Sequence, residues 1–232
     1  MVQYPSKKSM LLGWEYCKAT DASRKWNLKK LGTPAVKYIS VGNDNLYVAV
    51  YPEKIVVCIA GTNECKDWIG FAGNLTTSLN QSGKHTGFFH ATYAIWKEIK
   101  KYFEWRQIYC RFKGTDKIVK KKIYVYGHSR GGAIAILLAE LISTAYDCNV
   151  YGLVYGAPRV YSENYNAGLL EKIKLWRIEC DFDPVVCIPY IGYRKKYPLV
   201  IIVQNRMFKW FGRIFFSHLR YGFMIRLFYR NF

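Results

Sequence analysis

The sequence predicts an α/β fold: a mostly parallel central sheet with an N-terminal antiparallel meander and flanking helices. Residues 37–62 contain three β-rich runs separated by the turn clusters Gly-Asn-Asp-Asn and Pro-Glu-Lys, a pattern typical of a meander. Strand-like and helix-like runs then alternate along the chain, as in parallel sheets with crossover helices. Hydrophobic residues make up 51% of the 232, which is enough to bury a core, so we expect residues 1–232 to form a single domain.

The elements of the first half follow from their apolar patterns. The last strand of the meander, 55–60, is almost wholly apolar, which predicts burial on both faces of the sheet. The polar, Gly-rich segment 63–84 predicts a long loop. Its Trp68, Ile69 and Phe71 fit either a lid that opens at an interface or a well-packed surface loop. An amphipathic helix is predicted over 92–105, because aromatic and aliphatic residues recur there at helical spacing.

The second half contains the alternating part of the fold. The apolar runs predict strands at 122–126, 150–155 and 172–178. Between the first two of these strands, apolar residues on one stripe predict a helix over 131–146. This alternation of strands with a helix, after the initial meander, favours a largely parallel sheet.

The chain is strongly basic, with a formal net charge of +19. Such a field attracts phosphate groups, either of nucleic acid or of an anionic membrane surface. We see no known nucleic-acid motif, so nucleic acid is the less favoured partner. The basic side chains between Arg206 and Arg220 would share one face of a continuous helix, which suits peripheral contact with anionic lipid. An ordinary solvated face is the alternative, and Gly212 and Gly222 argue against one unbroken helix.

The sequence predicts neither a secretory signal nor a transmembrane helix. The uncharged stretch 9–14 is too short and too polar for a signal peptide, and the best apolar candidate, 210–228, is interrupted by Arg213, His218, Arg220 and Arg226. The seven cysteines are scattered without a C-x-x-C pair, which predicts structural thiols. We therefore expect an intracellular, membrane-surface or virus-encoded protein in a reducing compartment.

Residues 124–135, YVYGHSRGGAIA, set a serine between glycines at the junction of a predicted strand and a predicted helix. Gly127 and Gly131 flank Ser129 at two residues on either side, the pattern that exposes a nucleophilic serine on a sharp strand-to-helix turn. The alternative is that Ser129 only caps the helix. A cap does not require glycine on both sides, and Gly131 and Gly132 weaken a purely structural first turn, so the nucleophile is favoured.

A nucleophilic serine needs a base and an acid that orients the base. In hydrolases with this turn, the chain order is serine, then carboxylate, then histidine, and His218 is the only histidine after Ser129. Asp181 and Asp183 are close rivals for the acid, and spacing alone does not separate them. Other acidic residues between the serine and the histidine are weaker candidates: Glu163, Glu171 and Glu179.

Several separated stretches resemble one family, the class 3 or fungal-type triacylglycerol lipases of the α/β-hydrolase fold. The chain has VVCIAGT at 56–62, HTGFF at 85–89 and YGHSRGGA at 126–133. These resemble the family's Gly-Thr strand end, its His-x-Gly-Phe element and its nucleophile turn. In the same order follow stretches that resemble the family's later elements: VYGAPRV at 154–160, DPVVCIP at 183–189 and SHLRY at 217–221.

The resemblance implies a triad of Ser129 as nucleophile, Asp183 as acid and His218 as base. It also implies an oxyanion hole formed by the backbone N–H groups of Thr62 and Arg130. The expected reaction is hydrolysis of a lipid ester of the acylglycerol type through an acyl-enzyme, with no metal or organic cofactor.

The chain departs from the family at two positions beside this site. Ala60 stands where the family usually has Arg before Gly-Thr, so an ion pair that supports that loop is missing or replaced. Arg130 stands where Leu commonly follows the nucleophile. Together with the basic tail, Arg130 leaves open a phospholipase A1 acting on anionic membranes. A non-catalytic basic protein that binds lipid or nucleic acid is the alternative outside the enzymes.

Overall fold

The computed structural model of the protein describes ten stretches of the chain: residues 5–19, 36–61, 79–104, 109–111, 118–166, 170–181, 183–189, 191–193, 199–203 and 221–228. Its helices are α1 (Lys7–Ala19), α2 (Thr86–Ile99), α3 (Arg130–Tyr146) and α4 (Tyr221–Phe228). Its strands are β1 (Val36–Val41), β2 (Asp44–Val50), β3 (Lys54–Ile59), β4 (Tyr109–Arg111), β5 (Ile118–Lys120), β6 (Lys122–His128), β7 (Val150–Tyr155), β8 (Ile173–Cys180) and β9 (Leu199–Val203). Short 3-10 turns follow α2 at Lys100–Phe103 and β8 at Pro184–Cys187.

A seven-stranded sheet organises the fold, with the strand order β1-β2-β3-β6-β7-β8-β9. The first three strands pair antiparallel, and every later neighbour from β3 to β9 pairs parallel. Strands β4 and β5 form a separate antiparallel pair. The α/β fold with an N-terminal meander, predicted from the sequence, is confirmed.

Two apolar layers cover the sheet because its central strands are apolar on both faces. In β3, Ile55, Val57 and Ile59 pack in the layer that includes α2 and α3. The alternate residues Val56 and Cys58 pack in the second layer, which includes α1 and α4. All five side chains are buried, as the unbroken apolar run predicts.

The predicted bounds of α2 and its inward face were partly wrong. The helix begins at Thr86 rather than at 92, because His85 caps it by accepting the N–H of Phe88. Of the residues that the helical spacing placed on the apolar stripe, namely Tyr93, Trp96, Ile99 and Phe103, the last two are fully buried, whereas Tyr93 is 49% exposed. Ile95, which was not predicted, is fully buried as well.

The other predicted elements of the second half are close to the observed ones. Strand β7 has the predicted bounds, β6 extends to His128, and β8 runs from Ile173 to Cys180. Helix α3 begins one residue earlier than predicted, at Arg130. The predicted loop 63–84 lies mostly outside the described residues, as do Trp68, Ile69, Phe71 and the basic segment 206–220.

Candidate active site

Ser129 lies on the sharp turn between β6 and α3. Its backbone has φ 55° and ψ −128°, a region that residues with a Cβ rarely occupy. Such a conformation costs about 1–3 kcal/mol and persists only when the surrounding structure enforces it. Strain of this kind at a strand-to-helix turn is the feature that presents a serine as a nucleophile.

The glycines around Ser129 are required by close backbone contacts. A Cβ on Gly127 would lie 2.3 Å from the carbonyl oxygen of Gly131, and one on Gly131 would lie 2.2 Å from the carbonyl oxygen of Ala60. A Cβ on Gly132 would lie 2.8 Å from the Cβ of Ala157. The turn can therefore be this tight only because none of the three residues carries a side chain.

The capping alternative for Ser129 does not describe this helix. The hydroxyl makes no side-chain capping hydrogen bond, although the Ser129 carbonyl accepts the N–H groups of Gly132 and Ala133. The side chain is fully buried, and its Oγ has no hydrogen-bond partner among the described residues. A buried hydroxyl without such a partner is unusual in a stable core and is consistent with a reacting group.

Asp183 lies at the carboxyl end of β8, where it precedes the 3-10 turn. It is only 2% exposed. Its Oδ1 accepts the N–H of Val185 at 2.9 Å, and its Oδ2 accepts the hydroxyl of Tyr221 at 2.6 Å. Both donors stabilise the ionised carboxylate in a buried setting.

The rival acids have different environments. Asp181 is partly exposed, and Glu163 and Glu171 are exposed. Glu179 lies 2.9 Å from the guanidinium of the buried Arg177, and burial raises the pKa of Glu179 despite that partner. Among these acids, only Asp183 combines full burial with two hydrogen-bond donors, which favours it over Asp181 as the orienting acid.

The sheet brings Ser129 and Asp183 to the same edge. Strands β6, β7 and β8 are parallel neighbours, and both residues follow the carboxyl ends of their strands, where sites form in parallel sheets. An aromatic cluster connects the two positions. The ring of Trp14 lies 5.1 Å from the ring of His128, which precedes Ser129, and 5.7 Å from the ring of Tyr221.

Tyr221 was not predicted as part of the site. Burial raises the pKa of its hydroxyl well above the ordinary value of 10, and the negative charge of Asp183 raises it further. The hydroxyl therefore stays protonated and donates to Asp183. The available signal was its position three residues after His218 in SHLRY, but that motif was used only for the histidine.

The candidate oxyanion hole has two walls. The first wall is the start of α3, and the second wall is the chain segment that follows β3, from residue 60 onward. A Cβ on Gly61 would lie 3.3 Å from the Cβ of Ser129, so this segment touches the serine. Thr62, the predicted donor of this wall, lies outside the described residues, and so does His218. Arg130, the other predicted donor residue, occupies the first position of α3.

The described residues contain neither a metal-binding cluster nor a membrane-spanning helix. Among them, no group of three or more His, Cys, Asp or Glu side chains is arranged to hold a metal ion. None of the described helices combines the length and apolar character needed to cross a bilayer.

Comparison with known proteins identifies the family of the chain. A family model for Lipase (class 3) matches residues 56–193, more than half of the chain. No curated protein sequence matches.

Solved lipase structures share the fold at low sequence identity. The lipase from Rhizopus microsporus var. chinensis superposes with a TM-score of 0.61 at 18% identity, over 90% of this chain and 78% of that one. The Rhizomucor miehei triacylglyceride lipase gives 0.60 at 18% identity, over 86% and 78%. The mono- and diacylglycerol lipase from Aspergillus oryzae gives 0.60 at 22% identity, over 82% and 77%.

Proposed function

Because the chain belongs to the class 3 lipase family, we propose that it hydrolyses acylglycerol-type lipid esters through a triad of Ser129, His218 and Asp183. Family membership makes the protein a serine ester hydrolase, so a purely non-catalytic binding role is not retained. The identities of the triad members and of the substrate are the parts that this proposal adds.

The strained backbone of Ser129 is the observation that carries the proposal. A serine with no catalytic task has no reason to keep φ 55° at a cost of about 1–3 kcal/mol. Its environment also supplies what a nucleophile needs: three glycines that leave space around it and a helix whose first turn begins at the next residue. The partial positive charge of a helix N-terminus favours a developing oxyanion.

The proposed reaction follows the usual order of a serine hydrolase. His218 takes the proton of the Ser129 hydroxyl as the oxygen attacks the ester carbonyl carbon. The carbonyl oxygen becomes an oxyanion that accepts hydrogen bonds from the N–H groups of Thr62 and Arg130. His218 then protonates the leaving alcohol, and a water activated by the same imidazole releases the fatty acid.

Asp183 supports His218 in this scheme through charge and orientation. The N–H of Val185 and the hydroxyl of Tyr221 each hold one carboxylate oxygen, so the carboxylate cannot rotate freely. A carboxylate fixed in this way keeps the imidazole in one tautomer and stabilises the imidazolium that forms during attack.

The test of the proposal is hydrolysis of a panel of esters by the wild type and by Ser129→Ala. The panel contains p-nitrophenyl butyrate, a triacylglycerol emulsion and phosphatidylserine vesicles. We expect Ser129→Ala to lower kcat by on the order of 10⁴-fold or more.

Ser143→Ala is the matched control, since Ser143 is a buried serine of α3, the helix that follows Ser129, and its hydroxyl donates to the carbonyl of Cys148 at 2.8 Å. It is expected to lose some stability and keep its kcat. Wild-type protein that releases no fatty acid from any ester, or equal activity in Ser129→Ala, would refute the proposal.

The panel also tests the phospholipase A1 alternative. That alternative drew on the net charge of +19 and on the guanidinium of Arg130 as a phosphate ligand. The second argument is weakened, because Asp44 already pairs with this guanidinium through two hydrogen bonds. Faster Ser129-dependent release from phosphatidylserine than from triacylglycerol would favour the phospholipase.

A further inference from the structure

The side chain of Arg130 forms a two-pronged ion pair with Asp44. Its Nε donates to Oδ1 and its Nη2 donates to Oδ2, both at 2.8 Å. The Asp44 side chain is 8% exposed and that of Arg130 is 23% exposed. A charge-assisted pair with two parallel hydrogen bonds fixes the guanidinium in position and in orientation.

Asp44 lies on the strand that is hydrogen-bonded to the second wall of the site. It is the first residue of β2, and the carbonyl of the next residue, Asn45, accepts the N–H of Ala60 at 2.8 Å. Ala60 in turn precedes Gly61 and Thr62 in the chain. The backbone that carries Asp44 is therefore hydrogen-bonded to the backbone that leads into the predicted donor Thr62.

The two walls are in direct contact beside this ion pair. The carbonyl oxygen of Ala60 would lie 2.2 Å from a Cβ on Gly131, so the segment after β3 touches the first turn of α3. This first turn begins with Arg130. The ion pair thus ties the first residue of α3 to the first residue of β2, the strand whose Asn45 carbonyl accepts the N–H of Ala60.

We propose that the Arg130–Asp44 ion pair holds the two walls of the oxyanion hole at their catalytic separation. This inference rests on the proposed function, in which the N–H groups of Arg130 and Thr62 receive the oxyanion. Donors of this kind must lie about 2.7–3.1 Å from the oxyanion, and a misplacement of about 1 Å can cost on the order of 100-fold in rate. Arg130 then serves twice, with its N–H as a donor and its side chain as the anchor of that donor.

The ion pair also accounts for the departure at Ala60. Where the family usually has Arg before Gly-Thr, Ala60 carries no charge and cannot support the loop. Arg130 supplies a guanidinium from the opposite wall, and its partner Asp44 sits on the strand that is bonded to Ala60.

Asp44→Asn is the most direct test because it removes the charge of the partner without substituting Arg130, the residue that carries the donor N–H. With p-nitrophenyl butyrate, we expect kcat to fall about tenfold while KM changes by less than about twofold, since the lost interaction acts in the transition state. Binding of a phenylboronic acid, which forms a tetrahedral oxyanion-like adduct on the serine, should weaken by a similar factor. Asp44→Glu keeps the carboxylate and should recover part of the loss.

A double-mutant cycle tests whether Arg130 and Asp44 affect kcat through their ion pair or independently of each other. Arg130→Gln should lower kcat as Asp44→Asn does, and the double variant should be no worse than either single variant. Fully additive losses in the cycle would overturn the ion-pair proposal.

Lys84→Met is the structural control, since it breaks a similarly enclosed ion pair between Lys84 Nζ and Glu140 Oε1 at 2.7 Å. It should lower the unfolding temperature without changing kcat.

If Asp44→Asn behaves in the same way, with normal kcat and normal boronate binding, the positioning role is refuted while the proposed function stands. If Asp44→Asn does not fold, Arg130→Gln, which removes the guanidinium and keeps the backbone N–H, takes its place, and unchanged kcat in that variant is equally refuting. Absence of Ser129-dependent activity in the wild type would instead refute the proposed function itself.

Discussion

The Tyr221 hydroxyl donates a hydrogen bond to Asp183 at 2.6 Å, inside a pocket where both side chains are buried. The same hydroxyl accepts the N–H of Cys180 at 3.2 Å, so its position is fixed from the strand as well. A hydrogen bond to a buried carboxylate is worth about 1.5–3 kcal/mol. Tyr221 is therefore a positioning residue for the acid of the proposed triad.

Tyr221→Phe removes this hydroxyl and keeps the ring. We expect kcat/KM to fall about tenfold, because Asp183 loses the hydrogen bond from Tyr221 and becomes freer to rotate. The carboxylate stabilises the imidazolium of the proposed base, so its changed hydrogen bonding should also shift the acid limb of the pH profile of kcat/KM.

The matched control for this change is Tyr165→Phe. Tyr165 is also buried and donates to a carboxylate, Glu140 Oε1, at 2.6 Å, but Glu140 has no role in the proposed reaction. Tyr165→Phe should cost stability and leave the pH profile unchanged. Identical pH profiles for Tyr221→Phe and the wild type would contradict the positioning role.

Single residues differ in how far the sequence can predict their roles. The sharp turn at Ser129 was predictable because its requirement, glycine at two residues on either side, is local in the chain. The partners of the site residues were not identifiable. Tyr221 is 38 residues from Asp183, and Asp44 is 86 residues from Arg130. No local pattern records which distant donor or acceptor will be brought into contact.

At the scale of elements, the start of α2 shows how a cap can be missed. Serine, threonine, aspartate and asparagine are the usual N-caps, whereas this helix is capped by the Nδ1 of His85, which accepts the N–H of Phe88 at 3.3 Å. Burial lowers the pKa of His85 from its ordinary value of 6.5, with a smaller contribution from the positive charge of Arg130. The folded protein thus favours neutral His85, the form that can accept the capping bond.

The cap predicts a loss of stability in acid. His85 has a lower pKa in the folded than in the unfolded chain, so its contribution is complete above about pH 6.5 and is lost as the pH falls through the folded value. The slope in that window is at most about 1.4 kcal/mol per pH unit. Urea unfolding at pH 8, 6.5 and 5.5 measures it.

His85→Asn is the comparison for the acid effect, because asparagine caps helices well and does not titrate in this range. Its free energy of unfolding should fall less than that of the wild type between pH 6.5 and 5.5. Glu179, whose pKa is raised mainly by burial, acts in the opposite direction but is common to both proteins. Parallel pH dependences for the two proteins would contradict the assignment to His85.

The layer that covers the second face of the sheet was not predicted as a pair of helices. Helix α1 contains Gly13, and glycine inside a helix usually argues against one because it costs about 1 kcal/mol relative to alanine. Here a Cβ at Gly13 would lie 2.5 Å from the Tyr155 hydroxyl. That hydroxyl donates to the carbonyl of Met10, 145 residues earlier in the chain. The glycine is needed for the close approach of helix and sheet, which only the folded chain reveals.

At the scale of the whole molecule, the net charge of +19 predicts a salt-dependent attraction to anionic membranes. We expect Ser129→Ala, which avoids hydrolysis, to bind phosphatidylserine-containing vesicles at least about tenfold more weakly in 0.5 M than in about 0.05 M salt. Vesicle cosedimentation measures this binding, and pure phosphatidylcholine vesicles are the uncharged control.

Two outcomes would contradict the prediction that the charge of the protein directs it to anionic membranes. Equal affinity for charged and uncharged vesicles would show that charge does not drive the contact. Equally tight, steeply salt-dependent binding to duplex DNA would show that the charge does not discriminate between phosphate-bearing partners.

The sequence by itself determined the class of the fold, the position of the strand-to-helix turn at Ser129 and the basic character of the molecule. Each of these depends on composition or on patterns a few residues long, such as the meander of 37–62 and the glycines around Ser129. Whether residues 1–232 form one domain stays a prediction. Only the tertiary structure decided which hydroxyl holds Asp183, which carboxylate anchors Arg130 and why α1 contains a glycine. These contacts join residues 38 to 145 positions apart, and the packing of the complete sheet with its helices is what brings them together.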